Sequence, residues 1–451
     1  MTMRRILLFI VFPLLTTKIS GQETILEAYI RQGLENNLAL RQKEADYEKS
    51  LAALREARSF FYPDISVNAR YTVARGGRII EFPVGDLMNP VYSTLNMMLG
   101  SDYFPLIENQ EFTFLREHEH ETKVSVVQPL IDPRIFYNQK ISEQLSEAQI
   151  ADAESYRRQL VADIKTAYFN YLKTLRIEQL LHDTKLLLEE NIRVNESLYR
   201  NDKVTIDHVY RSRAELSGLE QQIAEITKAR QVSAAYFNFL LNRPLEENIM
   251  EESDFDSIIM VIDLPGAHQN ALANREELSM LESYARANDY YLSLNQARIM
   301  PSVYGAVDYG FQGTDYIFNS KYDFVIASVV LRWELFHGFE NRAVISQAKI
   351  ERDIRQTQIE ETKDRIGLQV IQAYYDLQAS EKSIIAAEEA LLSATRAYEV
   401  VDRKYREGQV NLIEYIDART TMTNAGQNVI ISRYDHHIKY AEFERVACLY
   451  E

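Results

Sequence analysis

Two stretches of this sequence, residues 134–199 and 339–405, contain no proline and carry a helical pattern of apolar residues. Apolar side chains recur at spacings of three and four, as at Leu160, Ile164 and Tyr168. This pattern predicts two long α-helices whose apolar seams pack against neighbouring helices, as in a coiled coil. At a rise of about 1.5 Å per residue, each helix would extend for about 99 Å. Residues that interrupt helices are scarce, with 15 glycines and 10 prolines in 451 residues.

The chain repeats its own plan. The matching segments are 34–40 with 272–278, 62–67 with 300–305, 167–170 with 373–376, and 204–206 with 410–412. An ordered series of matches at nearly constant spacing indicates an internal duplication. We therefore predict a first repeat over residues 22–265 and a second over 266–451.

Each repeat is predicted to contain a helix, two strands, a long helix, a turn and a return helix. In the first repeat these are a helix over about 24–61, strands over 64–73 and 111–131, the long helix 134–199, a return helix over 205–241 and a connector over 242–265. In the second they are a helix over about 268–298, strands over 302–312 and 322–336, the long helix 339–405 and a return helix over 411–446. The turns fall at Asn201-Asp202 and Glu407-Gly408, residue types that tolerate the left-handed conformation of a sharp helix exit.

The first strand of each repeat alternates between apolar and polar residues. In the first repeat Ile65, Val67 and Tyr71 fall on one side, opposite Ser66 and Arg70. This alternation fits a membrane strand between lipid and water, and it fits a half-buried sheet of a soluble protein equally well. The second strand of each repeat does not reveal its apolar side. The connection over 74–110 is long, and such loops are usually functional or disordered.

The start of the chain predicts export. Arg4 and Arg5 precede an apolar run from Ile6 to Leu15, and small and polar residues follow, which is typical of a signal peptide over 1–21. No later segment reaches the ~18 apolar residues of a membrane helix, so an exported chain would be soluble or would enter a membrane as strands. The net charge of −16 disfavours nucleic acid as a partner.

Candidate sites for chemistry are few. The sequence contains no phosphate loop, metalloprotease helix or nucleophile elbow, so we predict that the chain is not an enzyme and has no cofactor. His118 and His120 share one face of a strand without an identifiable third ligand, and we interpret them as solvated residues instead of a metal site. We interpret His436 and His437 as surface residues.

Four strands cannot close a barrel in lipid, because the open edges would leave backbone groups unsatisfied. If the strands enter a membrane, several chains must therefore combine them. The sequence resembles the TolC-like outer-membrane efflux protein family over essentially the whole mature chain. The resemblance rests on the duplicated plan, on Trp333-Glu334-Leu335-Phe336-His337-Gly338, and on Tyr405-Arg406-Glu407-Gly408 followed by Glu414-Tyr415-Ile416-Asp417-Ala418.

This resemblance implies a mostly α protein with a small β part. Three copies would contribute four transmembrane strands each to one twelve-stranded barrel in the outer membrane lipid, and an antiparallel α-helical barrel would cross the periplasm. It implies a passive exit duct of a tripartite efflux or type I secretion system, which docks on a periplasmic adaptor (a membrane fusion protein) and an inner-membrane transporter. The helices alone also fit another reading, a secreted periplasmic coiled-coil scaffold or adaptor.

The resemblance also implies a pore aperture at the turns. Two family acids that narrow the pore fall on Glu414 and Asp417, one helical turn apart, so three copies would surround the opening with six carboxylates. Tyr405 falls on a tyrosine that helps to hold the tip closed, whereas the basic partner expected nearby is Val410 here. In the first repeat His208 replaces the pore-side acid and follows Asp207. His208 could titrate near neutral pH, or it could be an exposed histidine beside an acid.

Overall fold

The computed structural model describes residues 24–252 and 262–449. The predicted signal peptide over 1–21 lies outside these residues, as does part of the connector over 242–265. The helices are α1 Ile25–Asn36, α2 Leu38–Ser59, α3 Val84–Leu99, α4 Pro133–Arg200, α5 Ile206–Leu240, α6 Leu264–Asn274, α7 Glu276–Ala297, α8 Glu340–Arg406 and α9 Leu412–Ala447. The strands are β1 Asp64–Val73, β2 Ile79–Phe82, β3 Gln110–Thr113, β4 His118–Ile131, β5 Ser302–Gly313 and β6 Asp323–Arg332.

The chain forms two compact units. The first, here called the helical unit, takes in the chain up to Lys49, Glu147–Ser283 and the residues from Arg355 onward. The second, here called the sheet unit, takes in Ser50–Ser146 and Tyr284–Ile354. Both predicted repeats contribute to both units, so the compact units cut across the duplication. Within the described ranges, no helix combines the length and the apolar character needed to cross a bilayer.

The helical unit has a separate core for each repeat. In the first, Leu160, Ile164 and Tyr168 of α4 are completely buried. The Tyr168 hydroxyl donates to the Met250 carbonyl oxygen at 3.0 Å and accepts from the Glu252 amide at 3.1 Å. The core of the second repeat is formed around α8 and α9, where Val370 and Phe443 are completely buried. The α4 seam therefore contains the residues that the helical period placed in it.

The first helix of each repeat is interrupted. The prediction of one helix over 24–61 is wrong, because Asn37 adopts φ −59° and ψ 126° between α1 and α2. Its side chain donates to the Leu240 carbonyl oxygen at 2.8 Å and accepts from the Leu40 amide at 2.9 Å, so it caps α2. Arg275 makes the equivalent break between α6 and α7, with φ −69° and ψ 121°.

The sheet unit contains an antiparallel sheet in the order β1-β4-β5-β6. The strand register shows which side of the later strands is apolar. Val67 pairs with Val124, Val124 with Tyr309, and Tyr309 with Val325. These side chains join one apolar face that remains exposed, at 72% for Val67 and 68% for Val325. The opposite face is polar and carries ion pairs from Arg70 to Glu121 and from Lys123 to Asp308, both at 2.8 Å.

The second strand of the first repeat is shorter than predicted. Instead of one strand over 111–131, β4 starts at His118, and β3 pairs with β2 in a small separate sheet. The residues between β1 and β4 form an ordered insertion, because β2, α3 and β3 all lie within 74–117.

Three histidines that were predicted to be exposed to solvent are buried. His120 is completely buried, since its ring stacks on Tyr316 at 4.3 Å and its Nε2 lies 2.7 Å from the Asp315 carbonyl oxygen. The prediction that it is solvated is wrong because the loop between β5 and β6 covers it. His436 and His437 are also buried, and the His437 ring stacks on Phe169 at 5.0 Å. Among the described residues, no group of three or more histidine, cysteine or acidic side chains could hold a metal ion.

Candidate functional site

The two turns at the ends of the long helices have the same construction. At the first turn the Asp202 amide donates to the Tyr199 carbonyl at 3.0 Å and the Lys203 amide to the Leu198 carbonyl at 2.9 Å. At the second turn Gly408 donates to Tyr405 at 3.0 Å and Gln409 to Lys404 at 2.8 Å. Both patterns are Schellman motifs, which require a left-handed residue after the helix.

Asp202 and Gly408 supply the left-handed residues of these turns, with φ of 56° and 73°. The residues before them have other contacts. The Asn201 side chain donates to the Ser197 carbonyl at 2.7 Å, and the Glu407 carboxylate accepts from the Gln409 side chain at 2.9 Å. The sequence therefore located both turns, and the structure shows which residue of each pair adopts the left-handed conformation.

A polar residue occupies the N-cap position of the helix that follows each turn, and only the Asn411 side chain makes a capping hydrogen bond to the backbone. Asn411 precedes α9, where its Oδ1 accepts from the Glu414 amide at 2.9 Å and its Nδ2 donates to Glu414 Oε1 at 2.7 Å. Thr205 precedes α5, and its hydroxyl donates to the Asp207 carboxylate. This hydrogen bond lowers the pKa of Asp207 below its ordinary value. The carboxylates of Glu414 and Asp207 are thus each held by the polar side chain that precedes their helix.

Glu414 and Asp417 are both exposed and lie three residues apart on α9. Residues at this spacing share a face of a helix. The opposite side of the same turns of α9 is buried through Leu412, Tyr415 and Arg419. The structure therefore presents the two acids together, away from the helix contacts of their own chain.

Tyr405 is buried, at 6% exposure, in a cluster of aromatic and apolar side chains next to the second turn. Its ring stacks on Tyr415 with the ring centroids 4.8 Å apart, and the Tyr398 ring lies 5.9 Å from that of Tyr415. Burial raises the pKa of Tyr405 above its ordinary value, so the hydroxyl keeps its proton and can donate. Val410, which stands where the family resemblance implies a basic residue, packs against this cluster.

A buried polar network joins the two helix pairs at this level. The Tyr405 hydroxyl of α8 donates to Asn195 Oδ1 of α4. Asn195 Nδ2 donates to Ser212 Oγ of α5 at 2.8 Å and to Asn191 Oδ1 at 3.0 Å, and the Ser212 hydroxyl donates to Asn191 Oδ1 at 2.9 Å. Sequence reasoning missed these partners of Tyr405. Their signal was present, because Asn191 and Asn195 continue the seam spacing of Leu181 and Leu188 with polar residues.

Two further polar residues lie close to the turns. His208 is half-buried, and its buried Nδ1 has no hydrogen-bond partner in the described part of the chain. Arg419 is 4% exposed, and its Nη2 donates to Glu215 Oε2 of α5 at 3.0 Å. Arg419 was not singled out from the sequence. It provides a second polar link between the first and the second helix pair.

Comparison with known proteins shows which family this chain resembles. Residues 267–446, which include Tyr405, Glu414 and Asp417, match the family described as outer membrane efflux protein. Over 440 residues the chain is 19% identical to the outer membrane protein TolC of Escherichia coli, covering 94% of this chain and 81% of TolC. The chain is therefore similar to the outer membrane efflux proteins, by a family match over residues 267–446 and by a distant likeness to TolC over most of its length.

Solved structures of other proteins share the fold of this chain. A membrane protein from Pseudomonas aeruginosa has a TM-score of 0.79 at 17% identity and covers 94% of this chain and 93% of its own. The Campylobacter jejuni CmeC outer membrane channel has a TM-score of 0.79 at 15% identity and covers 94% of this chain and 85% of its own. The predicted fold class, mostly α with a small β part, is confirmed. Asp207 and His208 lie outside the segment that matches the family model.

Proposed function

We propose that this protein is the passive exit duct of a tripartite efflux or type I secretion system in the outer membrane. The observation that carries this proposal is the sheet, whose one face is apolar and exposed while the other is polar. A face of exposed valines on several neighbouring strands costs free energy in water and is favourable in lipid. In this arrangement the polar face, with its Arg70–Glu121 and Lys123–Asp308 ion pairs, lines the exit path.

A group of exposed aromatic residues at the helix-side end of the sheet supports a membrane position. Trp333 is 56% exposed, and its Nε1 donates to the Ile299 carbonyl oxygen at 2.9 Å. Other exposed aromatic side chains near this end of the sheet are Phe60, Phe61, Tyr62, Phe136, Phe336 and Phe339. Aromatic side chains concentrate at membrane–water boundaries, where an apolar ring and a polar edge are both satisfied. We therefore place this end of the sheet at the periplasmic boundary of the outer membrane.

The free edges of the sheet support a trimer. Within the described residues β1 pairs only with β4 and β6 only with β5, so each outer strand has an unpaired edge. Unpaired backbone groups are costly in lipid, and pairing β1 of one copy with β6 of the next removes both edges. Three copies would give twelve strands, more than the roughly eight that the smallest membrane barrels contain.

The turns of the helical unit are the proposed closed end of the duct. About 80 Å of α4 lies within the helical unit, at about 1.5 Å per residue, which is longer than the ~30 Å thickness of a hydrocarbon layer. Glu414 and Asp417 then surround the aperture, with Asp207 and His208 beside them in the first repeat. The Tyr405–Asn195 contact holds the two helix pairs together behind these acids. A periplasmic adaptor and, through it, an inner-membrane transporter are the proposed partners at this end.

Three measurements on the full chain test this function. Cell fractionation should place the protein in the outer membrane, from which only detergent extracts it. Light scattering of the detergent-purified protein, corrected for bound detergent, should give three times the mass of one chain. Planar bilayers should show discrete single-channel conductance. A protein found in the salt-washable periplasmic fraction, without conductance, would instead be the coiled-coil scaffold or adaptor that the helices alone also fit.

A further inference from the structure

The insertion over 74–117, between β1 and β4, has an ordered structure within the sheet unit. Asn89 of α3 makes two hydrogen bonds to Ile107, one to its carbonyl oxygen and one from its amide, both at 2.9 Å. Asn96 brackets Phe104 in the same way, at 2.8 and 2.9 Å. These paired bonds fix one side of α3 against the segment that follows it. A Cβ on Gly85 would lie 2.5 Å from the Ile107 carbonyl oxygen, so the approach is also close.

The other side of α3 has no partner in the described part of the chain. Leu87, Val91, Leu95 and Met98 follow at spacings of four, four and three, which places them on one face of the helix. We call these four residues the α3 stripe. All four are exposed, with 66% for Leu87 and 79% for Met98. A helix fixed on its polar side and apolar on its exposed side is typical of an interaction surface.

The position of the insertion in the sheet indicates what covers the stripe. The insertion begins directly after Val73, the last residue of edge strand β1. The other edge strand, β6, begins at Asp323, directly after the loop over 314–322. Each strand of the sheet runs antiparallel to its neighbour in the order β1-β4-β5-β6. The end of β1 at Val73 and the start of β6 at Asp323 therefore lie at the same end of the sheet. If β1 of one copy pairs with β6 of the next, the insertion of the first copy meets the 314–322 loop of the second.

That loop presents a matching apolar surface. Tyr316, Ile317 and Phe318 are exposed, although the Tyr316 ring stacks on His120 and on Tyr71 of its own chain. We infer that the α3 stripe packs on the 314–322 loop of the neighbouring copy, so that three insertions fasten the subunit boundaries at the outer end of the sheet. This inference rests on the proposed trimeric duct and extends it to a contact between subunits. Burial of four apolar side chains and their partners would stabilise each boundary.

Disulfide cross-linking tests the contact in the full chain. In a Cys448→Ser background, Met98→Cys is combined with Phe318→Cys, and both sites are exposed enough to accept the change without loss of the fold. After mild oxidation, heat-denatured samples on non-reducing gels should show most of the protein as linked dimers and trimers. The matched control combines Ser93→Cys with Phe318→Cys, because exposed Ser93 lies on the asparagine side of the same helix and should give no such bands.

Two results would overturn the inference. One is a trimer by light scattering in which the Met98→Cys, Phe318→Cys pair gives only unlinked or internally linked monomers. The other is quenching by nitroxide lipids of a fluorophore on Met98→Cys, without inter-chain links, which would assign the stripe to the lipid leaflet. Light scattering at the mass of a single chain would overturn the proposed duct itself, and that failure is distinguishable because it is measured before any cross-linking.

Discussion

The Tyr405 hydroxyl donates a hydrogen bond to the Asn195 side chain at 2.5 Å, across 210 positions of the sequence. Both residues are buried, so neither can exchange the partner for bulk water. The bond joins α8 of the second repeat to α4 of the first beside both turns. If the helix pairs separate when the duct opens, this contact has to break.

Tyr405→Phe should therefore loosen the closed end. The variant keeps the ring stacked on Tyr415 but leaves Asn195 Oδ1 buried without its donor, which costs about 1–3 kcal/mol. We expect a lower melting temperature of the detergent-solubilised protein and more frequent or larger openings in planar bilayers. Tyr398→Phe is the matched control, since its hydroxyl makes only a 3.3 Å contact with the Tyr415 hydroxyl. Equal conductance of both variants would mean that the Tyr405–Asn195 bond does not hold the aperture closed.

The acids of α9 should govern cation binding at the aperture. Glu414→Gln combined with Asp417→Asn keeps the side-chain volume and leaves an oxygen for Asn411 Nδ2, but it removes up to six charges from the proposed trimer. Because closely spaced carboxylates attract cations, the double variant should lose most of the block by divalent or trivalent cations and most of the cation selectivity. Single-channel recording measures both properties.

Asp202→Asn is the control for that experiment. Asp202 is exposed and left-handed with φ 56°, and asparagine tolerates this conformation, so the turn should stay intact. Its charge is removed without changing the α9 face. Wild-type block and selectivity in the double variant would show that Glu414 and Asp417 do not line the pore.

The matched tyrosines of the two repeats should differ in their contribution to stability. Tyr168 is completely buried with two hydrogen bonds from its hydroxyl group, whereas Tyr374 is half-buried and its hydroxyl lies 3.5 Å from Gln378 Nε2. Tyr168→Phe should lower the free energy of unfolding by about 1–3 kcal/mol, and Tyr374→Phe should change it by less than about 0.5 kcal/mol. Thermal unfolding followed by circular dichroism compares the two. Equal losses would show that the two repeats are equivalent at this position.

The sequence predicts the fold correctly where a regular spacing of apolar residues extends over many positions. Alternation predicted a strand over 64–73, and β1 covers those residues, while the three–four spacing placed Leu160 and Ile164 in a seam that is buried. The break at Asn37 was not readable, because it depends on the Leu240 carbonyl, which lies 203 positions away in the chain. The apolar side of β4 depended in the same way on its register with β1 and β5.

The sequence predicts the candidate site only in part, because some of its contacts are made by segments that are distant in the chain. Local turn chemistry identified both turns, and the family resemblance supplied Glu414, Asp417 and Tyr405. The acceptor of the Tyr405 hydroxyl lies in the other repeat, and the burial of His120 requires a loop nearly two hundred residues away. Side chains whose environment is made by distant segments cannot be assigned from their neighbours in the sequence.

His437 should make the helical unit less stable in mild acid. Burial, and next to it the charge of His436, lowers the pKa of His437 to about 4. An unfolded histidine titrates near 6.5, so between these values the unfolded state binds a proton that the folded state does not. The contribution of His437 to the free energy of unfolding should therefore be complete above pH ~6.5. It should fall by about 3 kcal/mol as the pH drops towards 4, and this group should cause no further loss below pH 4.

His437→Gln is neutral at every pH and should flatten this part of the stability profile, whatever its effect on stability at pH 8. The matched control is His182→Gln, because His182 lies on the exposed side of α4 and its replacement should leave the slope unchanged. Unfolding in denaturant, followed at pH 8, 6.5, 5 and 4, gives the slope for each protein. A His437→Gln variant that loses stability between pH 6.5 and 4 as steeply as the wild type would assign the acid sensitivity to other groups. In that case the buried position of His437 on Phe169 would not hold the imidazole in its neutral form.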